Sequence, residues 1–204
     1  MREGTIVKRN RIILLLVLLG AGTGLSSLGQ QAVTVLEIEP GVSMLGAGGA
    51  GISVVNGAET LYYNAAGLAE LPGISFSSFY ASYLGVANYS AFSLTLRNWG
   101  LGALLFNSGG IQGYDDTGNP TETLAYKNSA ILFGVGLRPN DLPFLPTMGF
   151  DFSLGARIKY LSVAIAEETG SGFAFDLAFR TEFPGMQLGP LRLSDLAVGV
   201  SAVN

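Results

Sequence analysis

The sequence predicts an all-β fold: an antiparallel transmembrane β-barrel, present in part as about seven strands, preceded by a glycine-rich N-terminal plug with a short helix. Three observations lead there. Hydrophobic residues make up 49% of the 204 and charged residues only 13%, about half the roughly 25% of soluble proteins. With 29 Gly, 12 Phe and 8 Tyr, that composition suits a sheet whose outer face meets lipid rather than water. From Ile74 onward apolar and polar residues alternate in runs of nine or more, the length a tilted membrane strand needs. Finally, one glycine-dense stretch, Pro40 to Leu71, stands ahead of all the strands.

Residues 1–29 read as an export address. Arg2, Lys8, Arg9 and Arg11 precede an apolar run from Ile12 to Leu19, and small residues then lead to Ser27-Leu28-Gly29, the form of a signal-peptide cleavage site. The run is well short of the roughly 18 apolar residues of a spanning helix. A cleaved signal peptide is therefore expected, and with it the outer membrane of a Gram-negative-type bacterium. The chain has no Cys, so a lipid-anchored lipoprotein is excluded. Removing 1–29 leaves 7 Lys and Arg against 14 Asp and Glu, a balance that argues against nucleic acid as a partner.

Residues 30–72 are expected to form the plug. Residues 30–39 alternate weakly and read as a short strand or a lead-in. Five glycines between Gly41 and Gly51 are too many for a packed helix or a regular strand, but they suit a segment pressed flat against a wall of backbone. Gly46, Gly48 and Gly49 are thus candidate plug or gate residues. They are joined by Tyr62, Tyr63, Asn64, Gly67 and Leu68 from a helix-like half, Glu59 to Leu71. Asn56-Gly57 reads as a turn, and Thr60 or Asn64 suits a helix cap. The two tyrosines offer apolar area with a polar tip, fit for a pore interior. Gly46-Ala-Gly48-Gly-Ala-Gly51, with Glu70 beyond it, spells the dinucleotide fingerprint. That motif needs a βαβ setting, and nothing after residue 72 reads as helical, so no cofactor is expected.

Residues 73–204 read as barrel strands at about 74–84, 88–97, 99–107, 124–138, 148–164, 172–183 and 191–203. A soluble sandwich would have shorter strands, roughly five to six residues, and more charge outside. By parity the loops 85–87, 108–123 and 165–171 share one rim, which carries Asp115, Asp116, Glu122, Glu167 and Glu168. Asn98, 139–147 and the Pro184–Pro190 stretch share the other. Longer loops lie outside in such barrels, so the acidic rim is expected to be extracellular.

Enzymatic chemistry has little to work with. The absence of Cys and His removes thiol nucleophiles, imidazole bases and most zinc sites, so neither catalysis nor a metal is expected. Asp116-Thr117-Gly118 spells an aspartic-protease triplet, but that chemistry needs two such carboxylates sharing a proton. Asp115-Asp116-Thr-Gly-Asn119 lacks the spacing and the distal Glu of a calcium loop. Hydration of the loop explains both. The charges that matter are Arg157, Lys159, Asp176, Arg180 and Glu182, which alternation places on the lumen side of two adjacent strands. Opposite charges pair favourably across strands, giving either an ion-pair ladder that rigidifies the wall and satisfies the plug, or a polar track for substrate.

Gly41-Val-Ser-Met-Leu-Gly46-Ala-Gly48-Gly49-Ala50, followed by Asn56-Gly-Ala-Glu-Thr-Leu-Tyr-Tyr-Asn64-Ala-Ala-Gly67-Leu68, resembles the start of PorV/PorQ-type proteins in the FadL-like outer-membrane family. Ala65 stands where that family usually has proline. Gly155 to Tyr160, Gly172 to Leu177 and Leu196 to Asn204 also resemble PorV-type strands. Barrels of that kind commonly have about fourteen strands, an even number, so seven are expected to cover about half of one. The resemblance implies a barrel that moves hydrophobic small molecules across the outer membrane, gated by 41–71. Alternatively it implies a secretion barrel that receives exported protein cargo, or a structural outer-membrane protein. The implied partners are outer-membrane lipid and either a hydrophobic ligand or that cargo.

Overall fold

Seven strands follow one another in chain order in a single antiparallel sheet that curls into a half-barrel. The structure, a computed structural model, describes residues 35–54, 57–143, 150–166, 168–188 and 191–203. The signal-peptide expectation over 1–29 and the Asn56 turn position lie outside them. The strands are β1 (Ser75–Tyr83), β2 (Ala87–Leu96), β3 (Trp99–Tyr114), β4 (Pro120–Leu137), β5 (Phe152–Ile165), β6 (Glu168–Leu188) and β7 (Leu191–Ala202). The strand count and order agree with the alternation in the sequence; the lengths do not all agree. The region expected as a loop at 108–123 is a continuation of β3 and β4, paired as far as Tyr114 and Pro120 with register shifts after Ser108 and Gln112. Glycines such as Gly110, at φ 76°, allow those bulges. β2 stops pairing at Ser108 of β3, and β5 at Tyr126 of β4, so the hairpin projects beyond its neighbours. One 3-10 turn, Pro139–Asp141, breaks the expectation that nothing helical follows residue 72.

Ahead of the sheet lie short helical turns. Residues 35–37 form a 3-10 turn, not a strand, with Val35 buried against Tyr89, Leu104 and Leu132. Helix α1 (Val42–Gly46) follows. The helix-like half is broken into a 3-10 turn at 57–59, helix α2 (Thr60–Tyr63) and a 3-10 turn at 65–70. Asn64 causes the second break: its backbone is extended, and its Oδ1 accepts from the Ala66 amide at 3.0 Å. Thr60 caps nothing.

This N-terminal segment covers one face of the sheet, and the two faces differ sharply. The covered face of β2 carries Ala87, Tyr89, Ala91, Ser93 and Thr95, all buried, while Phe92 and Leu94 are exposed on the other. β4 buries Asn128, Ala130, Leu132, Gly134 and Gly136 and exposes Ile131, Phe133, Val135 and Leu137. β6 buries Ala174, Asp176, Ala178 and Arg180 and exposes Phe173, Phe175 and Leu177. The register sets these outer side chains in rows across the strands. One row is Phe76, Leu94, Leu101, Phe133, Ile158 and Phe175; the next is Ser78, Phe92, Ala103, Ile131, Tyr160 and Phe173. Beyond them comes a mixed row of Tyr80, Ser90, Leu105, Ser129, Ser162 and Ser171, and then a polar one of Ser82, Asn88, Asn107, Lys127, Ala164 and Thr169. Large apolar groups face out, while the covered face mixes small, polar and charged groups with the buried cluster of Tyr89, Leu104 and Leu132.

Candidate functional site

The covered face holds two charge clusters, and each ties the wall to the N-terminal segment. In the first, Asp176 of β6 sits opposite Arg157 of β5. Its Oδ2 accepts from Arg157 and its Oδ1 pairs with Lys159 Nζ at 2.7 Å, all three side chains being buried. Arg157 also donates to the carbonyls of Leu61, at 2.7 Å, and Tyr62. In the second, Arg180 pairs with Glu70 and Glu182 and donates through Nε to the Ser53 carbonyl at 2.9 Å. Glu70 accepts from Ser153 Oγ at 2.8 Å. The structure thus brings together all five charges singled out by alternation, with Glu182 half-exposed at the margin. It adds Glu70 and three backbone carbonyls of the segment.

Between the clusters the segment lies directly on glycine. A Cβ on Gly155 would meet the Ala66 amide nitrogen at 2.2 Å, and one on Gly136 would meet the Ala65 oxygen and Ala69 nitrogen at 2.7 Å. Leu61 and Leu68, both fully buried, press on Gly134, and Leu61 also on Gly100 and Gly102. Gly199 of β7 lies under the Ile52 carbonyl and Asn64. Asn64 closes this seat, donating to Ile52 O at 2.7 Å and Phe179 O at 3.2 Å. The turn residue Asn98 donates from its amide nitrogen to Leu68 O and from its side chain to Gly136 O.

The expectation that the glycines of 41–51 press against a wall of backbone is corrected here. Gly46 and Gly48 have nothing within 4 Å of an added Cβ, and Gly49 is near only Glu39. The close approach uses glycines of the wall instead. Alternate glycine on one face of a strand, as at Gly134 and Gly136, is the sequence signal for a backbone lying close by. Gly67 and Leu68 sit in the seated 3-10 turn. Tyr62 donates to Phe92 O, and burial pushes its phenol up to about 12. Burial, and then the Glu39 carboxylate beside it, raise the Tyr63 phenol.

A cavity of about 220 Å³ lies between residues 36–52 and the covered face, lined by Leu36, Glu39, Ile52, Tyr62, Tyr63, Leu104, Leu132, Arg157 and Lys159 among others. The piece of chain above it is fastened at both ends. Tyr89 donates to Ile38 O at 3.1 Å before it, and Asn64 holds Ile52 after it. In between, Met44 is buried and Ser43 donates to Glu59 at 2.8 Å, while Val42 and Leu45 stand exposed. The acidic tip of the β3–β4 hairpin is organised separately. Asp115 Oδ1 accepts from the Thr117 amide and hydroxyl and the Asn119 amide, and these bonds hold its carboxyl down at about 2. Among the described residues no group of acidic side chains is arranged to hold a metal.

The class of protein this arrangement defines is an antiparallel half-barrel sheet whose covered face is filled by an N-terminal segment. Comparison with protein-family models, with curated proteins and with solved structures gave no match.

Proposed function

We propose that the chain is the wall and plug of an outer-membrane β-barrel that moves hydrophobic small molecules across that membrane, with residues 35–71 as the plug and the span 41–54 as its moving part. The observation that carries the reading is the uncharged, apolar outward face of the sheet. Four consecutive outward rows, from Leu137, Leu154, Phe179 and Val200 to Phe92, Ala103, Ile131 and Tyr160, contain no charged residue. At two residues per row they span about 20 Å along the strands, against a lipid-facing band of roughly 25 Å in outer-membrane barrels. Water would oppose such a face; hydrocarbon would not. The filled interior favours transport over a secretion barrel, since exported protein cargo needs an open path.

The test is made in two stages. Membrane fractions of cells expressing the full chain are washed with alkaline carbonate; recovery in the wash as soluble protein would end the barrel reading. The protein is then placed in liposomes and uptake of a hydrophobic dye followed, with and without residues 41–71. The plug reading expects faster uptake after deletion. An exported protein co-purifying at near-stoichiometric level from native membranes would replace transport with secretion.

A further inference from the structure

We infer that the outward face below the projecting hairpin docks a phosphorylated glycolipid of the lipid A type, with its phosphate at Lys127 and an acyl chain over Ala103. The inference goes beyond transport. It rests only on the sheet being a membrane wall and on the hairpin end lying outside. Its first observation is charge. Through the outward rows, from that of Lys127 to that of Leu137 and Val200, Lys127 is the one charged residue among those described. It is exposed, and no described carboxylate pairs with it. Farther out, the hairpin holds Asp115, Asp116 and Glu122, and no Lys or Arg lies between Asn98 and Tyr126. A phosphate is repelled by that tip and meets its cation at Lys127, a compact charge of the kind that binds phosphate.

The second observation is what stands beside that cation. Asn107 lies opposite Lys127 on β3, and Asn88 lies opposite Asn107 on β2, with adjacent strands about 4.8 Å apart. Both amides are exposed. Tyr80 donates to Asn88 Oδ1 at 2.7 Å, so Asn88 offers its amide hydrogens to a ligand. Ammonium and amide donors thus stand side by side with no carboxylate in their row, which suits a phosphate and the sugar hydroxyls next to it. The third is the order of layers down the wall. One row in, about 7 Å along the strands, come the hydroxyls of Ser90, Ser129 and Ser162, and then the apolar row of Phe92, Ala103 and Ile131. Ala103 is small between large neighbours, and a groove opens there, lined by Phe76, Phe92, Leu94, Leu101, Ala103 and Ile131 among others. Cation, hydroxyl and apolar groups follow the sequence of phosphate, ester and acyl chain in the lipid. A free phosphate would use the first layer alone; a lipid uses all three.

The experiment is native mass spectrometry of the full chain in mild detergent, titrated with lipid A, dephosphorylated lipid A and phosphatidylglycerol. Lipid A is expected to be held about fivefold more tightly than its dephosphorylated form. Lys127→Gln, at an exposed position, should remove that difference. Ala103→Phe crowds the acyl chain and should weaken both forms by the same factor. A difference that survives Lys127→Gln overturns the inference, as does Ala103→Phe leaving both forms unchanged. Phosphatidylglycerol held as tightly as lipid A overturns the choice of lipid, and displacement of lipid A by inorganic phosphate overturns the lipid altogether. Protein that resists the carbonate wash yet shows no preference for phosphate rejects the inference and keeps the barrel. Recovery in the wash ends both. Lipid A held through Lys127 without dye uptake in liposomes keeps the inference and rejects transport.

Discussion

Gly155→Ala should unseat the N-terminal segment, and the cost can be worked from the geometry. The new Cβ would lie 2.2 Å from the Ala66 nitrogen and 2.4 Å from the Ala65 carbonyl carbon. Both are backbone atoms, so no side-chain rotamer relieves the clash, and restoring van der Waals distance moves the segment off by more than ~1 Å. Overpacking of this kind costs about 1–3 kcal/mol. Removing glycine from a strand interior returns about 0.5–1 kcal/mol. The displaced Asn64 gives up its bonds to Ile52 and Phe179, at about 1 kcal/mol each. The net expectation is a loss of about 3 kcal/mol. Gly172 on β6 is the control, with nothing within 4 Å of its Cβ; Gly172→Ala should be neutral or slightly stabilising. Urea unfolding midpoints in detergent, followed by tyrosine fluorescence, measure both. Gly136→Ala, facing backbone, should resemble Gly155→Ala, whereas Gly134→Ala meets the flexible end of Leu61 and should cost less. Equal midpoints for Gly155→Ala and Gly172→Ala would refute the seat.

Asp176→Asn leaves Arg157 and Lys159 buried without their shared carboxylate and should cost about 3–5 kcal/mol; breaking the exposed Arg97–Asp141 pair with Arg97→Ala should cost less than ~0.5 kcal/mol in the same urea unfolding. The Asp115 carboxyl is depressed in the folded hairpin, so its contribution is present above the ordinary value of 3.8 and is lost as pH falls through about 2. The Thr117 and Asn119 amide shifts should therefore titrate near 2, and a midpoint near 3.8 would show that the tip network does not form. Phe133→Arg sits in the middle of the outward apolar rows and should cost roughly 2–4 kcal/mol if they face hydrocarbon, read as lost membrane recovery, while Asn88→Arg, in the row with Asn107 and Lys127, should be recovered normally.

The sheet could be read in advance because its signal is local. Alternation such as Phe150 to Tyr160 reports both the strand and its two faces, and the same parity placed Arg157, Lys159, Asp176 and Arg180 together. The projecting hairpin was hidden because its strands are written in glycine and polar residues, Ser108-Gly109-Gly110 and Thr121-Glu122-Thr123, which carry no apolar alternation. The partners of the charges were beyond reach for a different reason. Arg157 binds carbonyls about 95 residues away and Arg180 reaches Ser53 across 127, and a backbone carbonyl leaves no mark in a sequence. The glycines misled for a third reason. Density drew attention to 41–51, whereas close approach depends on which face a glycine occupies, and the isolated glycines of the wall occupy the covered one.

An odd strand number carries a consequence for assembly. In a meander every second strand points the same way, so β1 and β7 run in the same direction, and among the described residues each has one paired neighbour. A ring in which all seams alternate therefore cannot be made by joining β7 to β1 directly. Nor can two copies turned about the long axis make one, because β7 of one would run parallel to β1 of the other. Only an odd complement of strands restores the alternation. Direction alone thus sorts the ways this sheet can become a closed cylinder, before any side chain is consulted.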